Sequence, residues 1–426
     1  MPFDMRISFR PSALALNIFT AIRGLGLRCF VSPRPDSVKA LKIIDFSYSR
    51  GGGHHHALNR LLVDSAASKG VETTILASRY IEPELWAQGA LPVFRAGVYD
   101  AVGTLPEFQR KADHILDATT LDLLLQPLST WRNPSTTLLI HTATPWHILA
   151  LVRVMAACKA TCQAQVFLML PPEFDVTPEL APLQAAAYLQ AWQEARAAGL
   201  RINFWTENRP LASTYQAIGL RDVTFLCLPM GLPPPGPRQV LRPDTHWPVF
   251  VFIGDPRPDK GFAVVVEALA LAKAQALEMV FRLRLTMMKP EHQARLDPLE
   301  CPQLDLEVQP FFTDETYCAE LANADAVLLP YDPLAYRVKN SNMVAESVCQ
   351  GSPVIVPGGA NALCDYAEAW AQPLHVTMPS YSGQGLLDAM QACVANLPSL
   401  RAAAQAAAPL ARQERDPGTF IDRMLS

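Results

Sequence analysis

Val327–Val356, VLLPYDPLAYRVKNSNMVAESVCQGSPVIV, is the stretch that decides how the chain folds. It opens on an apolar run, Val327–Leu329, that reads as the end of a buried strand stopped by Pro330. A polar loop follows from Tyr331 to Asn340. Ser341 then starts a helical pattern with Met343, Val344, Ser347 and Val348 on one face, and Gly351 closes it. Pro353–Val356 is the next apolar strand. Strand, long polar loop, helix, glycine turn and strand make a βαβ unit. Open α/β sheets bind ligands at the carboxyl ends of such strands.

Within this unit Glu346 is the charge to follow. The first amides of its helix, at Ser341, Asn342 and Met343, have no intrahelical partner and together carry about half a positive charge. A phosphate resting on them, with Glu346 accepting from nearby hydroxyls, is a nucleotide-sugar site, and Tyr336 in the loop joins the donor-binding set. The other reading leaves Glu346 as a solvated helix residue. Upstream, Phe252–Phe262, FIGDPRPDKGF, is a strand end, a loop opening at Gly254, and a Lys-Gly step into a helix from Phe262 to Ala274. Lys260 there offers a phosphate a point charge and Arg257 a bidentate fork. The alternative is a pair of solvated surface cations.

The first half has the same rhythm. Leu41–Ser47 reads as a strand, Gly51-Gly52-Gly53 as a turn, His54–Ser68 as a helix and Val71–Ala77 as the next strand. The glycines let backbone approach a ligand, and His54 opens the helix beside them. His54, His55 and His56 cannot hold one ion as a triplet, because successive helical residues point about 100° apart. Thr137–His141 is a buried strand ending on a histidine that either faces a ligand or is a hydrogen-bonded structural group. Further strands are expected at 165–170, 202–205 and 223–228, then at 249–253, 281–285, 304–308 and 374–377. Helices are expected at 385–393, 400–408 and 420–425.

Residues 231–246 hold five prolines and two glycines, a stiff hinge. The chain therefore divides into a basic extension (1–40), a first domain (41–232), a proline-rich linker (233–246) and a second domain (247–426). A length of 426 residues suits two cores. With 50% apolar and 18% charged residues it is a globular α/β composition. A net charge of −4 gives no basic field for nucleic acid. The nine cysteines are scattered, with no C-x-x-C, and read as reduced core thiols of a cytoplasmic protein. No apolar run reaches transmembrane length. Residues 1–42 carry seven Lys/Arg against two Asp, and Leu14, Ile18, Ile22 and Leu25 recur at helical spacing. That is either a basic amphipathic helix lying peripherally on the inner face of an anionic membrane or an unstructured extension.

Asn342–Val356, NMVAESVCQGSPVIV, resembles the donor helix of the retaining glycosyltransferases of family 4, and Phe252–Phe262 resembles their phosphate-contacting loop. The resemblance runs from about Leu41 onward and implies the GT-B fold: two Rossmann-like, doubly wound α/β domains facing a central cleft. It implies a diphosphate on Arg257, Lys260 and the amides of Asn342 and Met343, with Glu346 on the ribose. Gly51, Gly52, Gly53 and His54 would face the cleft, and His141 would contact the transferred sugar. The acceptor would be a glycan or glycolipid held by the first domain, and the last helix would cross back to it. No metal and no cofactor are implied, only the nucleotide-diphosphate sugar as donor. Two positions depart from the pattern. The family's first glutamate, eight residues before Glu346, is Val338, and its loop arginine is Asp255. A non-catalytic nucleotide-sugar-binding or scaffold protein, or a nucleotide-sugar epimerase, are the alternatives. The Arg excess over Lys (27 to 9) points to a GC-rich bacterium, and hence to polysaccharide or glycolipid synthesis.

Overall fold

A computed structural model describes residues 39–98, 103–174, 176–236, 247–310 and 312–426. The stripe of Leu14, Ile18, Ile22 and Leu25 and the linker residues 237–246 lie outside them. Two compact units result, one ending at Pro229 but regaining Pro417–Ser426, the other Met230–Asp416.

The first unit has strands β1 (Ala40–Asp45), β2 (Glu72–Ser78), β3 (Ala90–Phe94), β4 (Thr136–Ile140), β5 (Gln163–Phe167), β6 (Ile202–Thr206) and β7 (Thr224–Phe225). All pair in parallel in the order β3-β2-β1-β4-β5-β6-β7. Its helices are α1 (Gly53–Ser68), α2 (Pro83–Ala87), α3 (Leu105–Leu124), α4 (Leu128–Arg132), α5 (Pro145–Ala157), α6 (Ala181–Ala197) and α7 (Arg209–Ala217). Phe420, Ile421 and Met424 of the last helix, Pro417–Leu425, pack with Leu41, Ile43 and Leu139.

In the second unit β8 (Val249–Gly254), β9 (Val280–Leu285), β10 (Leu304–Val308), β11 (Ala326–Leu328), β12 (Val354–Pro357) and β13 (His375–Met378) form a parallel sheet ordered β10-β9-β8-β11-β12-β13. Its helices are α8 (Phe262–Ala274), α9 (Pro290–Leu296), α10 (Asp314–Asn323), α11 (Asn342–Cys349), α12 (Ala362–Glu368) and α13 (Gly383–Glu414), and the helix closing the chain is α14. The central strands β8, β11 and β12 are continuous apolar runs because both sheet faces are covered there. Val249, Val251 and Ile253 enter one core cluster, while Phe250 and Phe252 enter the other. Burying each such side chain contributes about 1.5–3 kcal/mol.

Most expected elements fall within two residues of their observed bounds, with instructive differences. The strand expected at 223–228 shrinks to the two residues of β7. The helices expected at 385–393 and 400–408 are one helix, α13, which carries Pro398 and Pro409 inside it. A proline costs a helix one backbone hydrogen bond and a clash, normally enough to stop it. Here Leu386, Met390 and Leu400 bury one flank of α13 and Ala404, Ala407 and Ala411 another, so packing carries the helix through. Arg282 and Arg284, side by side on β9, are buried and ion-paired with Asp305 and Glu320. Among the described residues no helix is long and apolar enough to cross a membrane.

Candidate functional site

Strand order reverses direction once in each sheet, between β1 and β4 and between β8 and β11. Both loops that the sequence singled out sit at these switch points, where an open α/β sheet leaves a crevice.

In the second unit the crevice lies between the β8 loop and the β11 loop. Gly261 ties them together. Its φ is +70°, and a Cβ there would stand 1.7 Å from the Pro330 carbonyl oxygen, so only glycine fits. The Asp332 amide also donates to the Asp259 carbonyl at 2.9 Å. Lys260 folds back so that its ammonium lies over Gly254, 5.9 Å from the ring of buried Tyr331. Burial, then the charge of Arg257, lowers the pKa of Lys260, while Asp255, Asp259 and Glu346 pull the other way. Arg257 is ion-paired with Asp259 at 3.1 Å and reaches the Tyr336 hydroxyl at 3.4 Å. Lys339 completes this cluster, 3.7 Å from Asp259 and over the Tyr336 ring. Arg257 and Tyr336 thus brace the loop while remaining beside the crevice.

At the start of α11, Ser341 is the N-cap residue but makes no capping hydrogen bond with its side chain, which instead interacts with the Tyr331 phenol. The first amides of the helix, from Asn342 and Met343, keep their anion-binding character. Just ahead, the side-chain nitrogen of Asn340 is buried with no hydrogen-bond partner, an orphan donor at the same helix end. Glu346 is half-buried rather than solvated, and Tyr317 of α10 donates its hydroxyl to Glu346 Oε2. The same hydroxyl is 2.9 Å from Met343 Sδ. Burial and the neighbouring Glu346 charge raise the pKa of Tyr317, keeping it a donor. Val338 is buried at 5% exposure. Sequence reasoning missed Tyr317 and Asn340. Asn340 ends the polar loop ahead of the cap and could have been suspected, whereas Tyr317 carries no local signal.

The first crevice is different. Gly52 and Gly53 have φ of +83° and +70°, which glycine alone adopts without strain, and the Gly51 amide donates to Glu82 at 2.8 Å. The three histidines fan out as helical geometry requires. His54 is exposed, His55 Nδ1 meets Asp45 Oδ2 at 2.8 Å, and His56 Nδ1 meets the Tyr48 hydroxyl at 3.0 Å. Asn59, one turn after His55, donates to the same Asp45 oxygen at 2.7 Å. His141 is only 1% exposed. Its Nε2 lies 3.0 Å from Asn59 Oδ1 and 3.2 Å from Asp45, and its Nδ1 3.2 Å from Thr142. Both ring nitrogens of His141 are thus within hydrogen-bond distance of protein groups. Burial alone would raise the pKa of Asp45, but the charges and hydrogen bonds of His141 and His55 outweigh it and hold the carboxyl well below the usual range.

Among the described residues two groups have donor spacing that would accept an ion: Asp45 with His55 and His141, and Cys364 with Glu368 and His375. In the first, Asp45 Oδ2 is already engaged by three nitrogen groups.

No protein-family model matches the chain, and no curated protein matches it in sequence. Solved structures do match in fold. Sucrose-phosphate synthase from Thermosynechococcus elongatus is similar over 91% of this chain and 98% of its own, at 11% identity and a TM-score of 0.61. HepE from Anabaena, solved with UDP-glucose, is 13% identical over 90% and 98%, with a TM-score of 0.56. A putative UDP-N-acetylglucosamine 2-epimerase from Listeria monocytogenes is 12% identical over 90% and 95%, also at 0.56. The fold is GT-B.

Proposed function

We propose that this protein is a glycosyltransferase that takes a sugar from a nucleotide-diphosphate donor bound at the β8/β11 crevice. The observation that carries the reading is the start of α11: uncapped amides, an orphan Asn340 donor, the Lys260 ammonium and a Tyr317-held Glu346, gathered at the switch point. The UDP-glucose found with HepE, on the same fold, has the chemistry these groups suit.

Each group has a part. Glu346, fixed by Tyr317, accepts from the ribose hydroxyls. The diphosphate lies on the amides of Asn342 and Met343 and against Lys260, and competes with Asp259 for Arg257. As the anomeric bond breaks, negative charge grows on the leaving phosphate and positive charge on the sugar. Fixed amides and an ammonium bind that leaving group more strongly than the ground state, which accelerates departure without a metal. A glycan or glycolipid acceptor falls to the first unit. Retention of configuration is what the family resemblance implies, with no carboxylate at Val338 to face the sugar.

The test is turnover of a panel of nucleotide-diphosphate sugars, with chelator present, followed by NMR of the sugar products. Release of nucleoside diphosphate with a new glycosidic signal is expected. The epimerase fold neighbour motivates one competing outcome: a changed sugar still attached to its nucleotide would replace transfer by epimerisation.

A further inference from the structure

We infer that Cys364, Glu368 and His375 form a binding site for a thiophilic divalent cation, with zinc(II) the ion that suits them best. Each offers one donor atom, and the three atoms lie within 4.8 Å of one another. Cys364 and Glu368 are one turn apart on α12 and so share a face. The Cys364 Sγ is 3.2 Å from Glu368 Oε1. His375 opens β13, where it pairs with Val354. The helix bearing the first two ligands is fixed in place. Asn361 caps it by accepting from the Cys364 amide at 2.9 Å, and its side-chain nitrogen donates to the Pro357 carbonyl at 3.1 Å.

The imidazole distinguishes this cluster from an ordinary thiol–carboxylate contact. His375 Nδ1 is buried and meets no hydrogen-bond partner. Native structures rarely leave such a group unmet, and an unassigned ion is one explanation for it. The Asp45 cluster differs because its shared oxygen is already engaged by three nitrogen groups. Sulfur, nitrogen and oxygen donors match zinc, whose bonds of about 2.0–2.3 Å need only small side-chain shifts here and leave a fourth position for water. On binding, the Cys364 thiol loses its proton to solvent as the sulfur–metal bond forms, so affinity rises with pH. Glu368 is exposed, which gives the ion a way in. His375 is the first residue of a strand in a parallel sheet, so the site is at the opposite end of the sheet from the β8/β11 crevice. An ion there would pin α12 to β13 and take no part in sugar transfer.

The full-length protein, stripped with chelator and dialysed, is titrated with Co²⁺ and then Zn²⁺. One Co²⁺ per chain with a thiolate-to-cobalt absorption in the near ultraviolet is expected, and Zn²⁺ should displace it and raise Tm. Cys364→Ser should abolish the absorption. Because Cys364 is buried, Glu368→Gln at the surface and His375→Gln supply the variants that keep the fold, and each should weaken binding by about tenfold or more. Absence of the absorption in the parent overturns the proposal. So does Co²⁺ binding that Glu368→Gln and His375→Gln leave unchanged, since the ion then sits elsewhere. Neither readout involves turnover, so failure here leaves the transferase reading intact.

Discussion

The β1/β4 crevice and the β8/β11 crevice occupy the same place in their sheets, yet they are filled in opposite ways. In the first, a buried carboxylate is surrounded by His55, Asn59 and His141, whose nitrogens all meet one of its oxygens. In the second, the Lys260 ammonium, an unmet Asn340 side-chain amide and the uncapped start of α11 belong to the β8 and β11 loops and the helix that follows. The same address in the same topology holds a finished hydrogen-bond network in one unit and an unfinished one in the other. A buried polar group left unmet beside a switch-point loop is one place where a ligand can complete the count.

Substitutions in the two crevices are therefore expected to fail in different measurements. The largest effect is expected from Asp45→Ala, which strands His55, Asn59 and His141 together. Removing one partner of a buried charge cluster costs about 3–5 kcal/mol, to be read by urea unfolding. Nucleotide affinity in whatever protein remains folded should equal the parent's. Weakened nucleotide binding would mean that the first crevice holds donor after all.

Glu346→Gln should do the reverse. Its oxygen still accepts from Tyr317, so Tm should hold, while two charge-assisted bonds to ribose weaken. Nucleoside-diphosphate affinity by calorimetry should fall about ten- to a hundredfold. A parental affinity would leave Glu346 as a partner of Tyr317 with no part in binding the ribose.

Lys260→Ala sharpens the assignment within the second crevice. It should lower nucleoside-diphosphate affinity by about tenfold and reduce turnover as well, since its charge meets the leaving phosphate. A nucleoside without phosphates should bind this variant as it binds the parent. Equal losses for both ligands would show damage to the loop rather than to a phosphate contact.

The most gradual effect comes from acid. Burial pushes His147 of α5 down to about 3 from an ordinary 6.5. The unfolded chain therefore binds a proton between these values that the folded chain refuses, and stability falls as pH drops below 6.5, by up to about 1.4 kcal/mol per unit. His147→Gln should flatten this slope in melts from pH 7 to pH 5. An unchanged slope would leave other groups of the molecule to explain acid sensitivity.

The amino-acid sequence by itself determined most of the strands, the two glycine-bearing loops and the helix that carries Glu346. Such elements are written within about ten neighbouring residues, as apolar runs, turn residues and helix-end signals. Phe262–Ala274 and Leu304–Val308 were legible to the residue for that reason. The β3 strand and α2, α9 and α12 went unread, being short and bounded by weaker signals. Which side chains meet is another matter. Asn59 finds His141 across 82 positions, Tyr317 finds Glu346 across 29, and Cys364 meets His375 only because β13 lies beside β12. The run through Pro398 likewise depended on neighbours burying both flanks of α13. Local pattern sets an element, because backbone hydrogen bonding and side-chain periodicity repeat over a few residues. That His141 meets Asn59 and Asp45, and that Glu346 meets Tyr317, was decided by strand order, which brings distant residues together and which no short window of sequence contains.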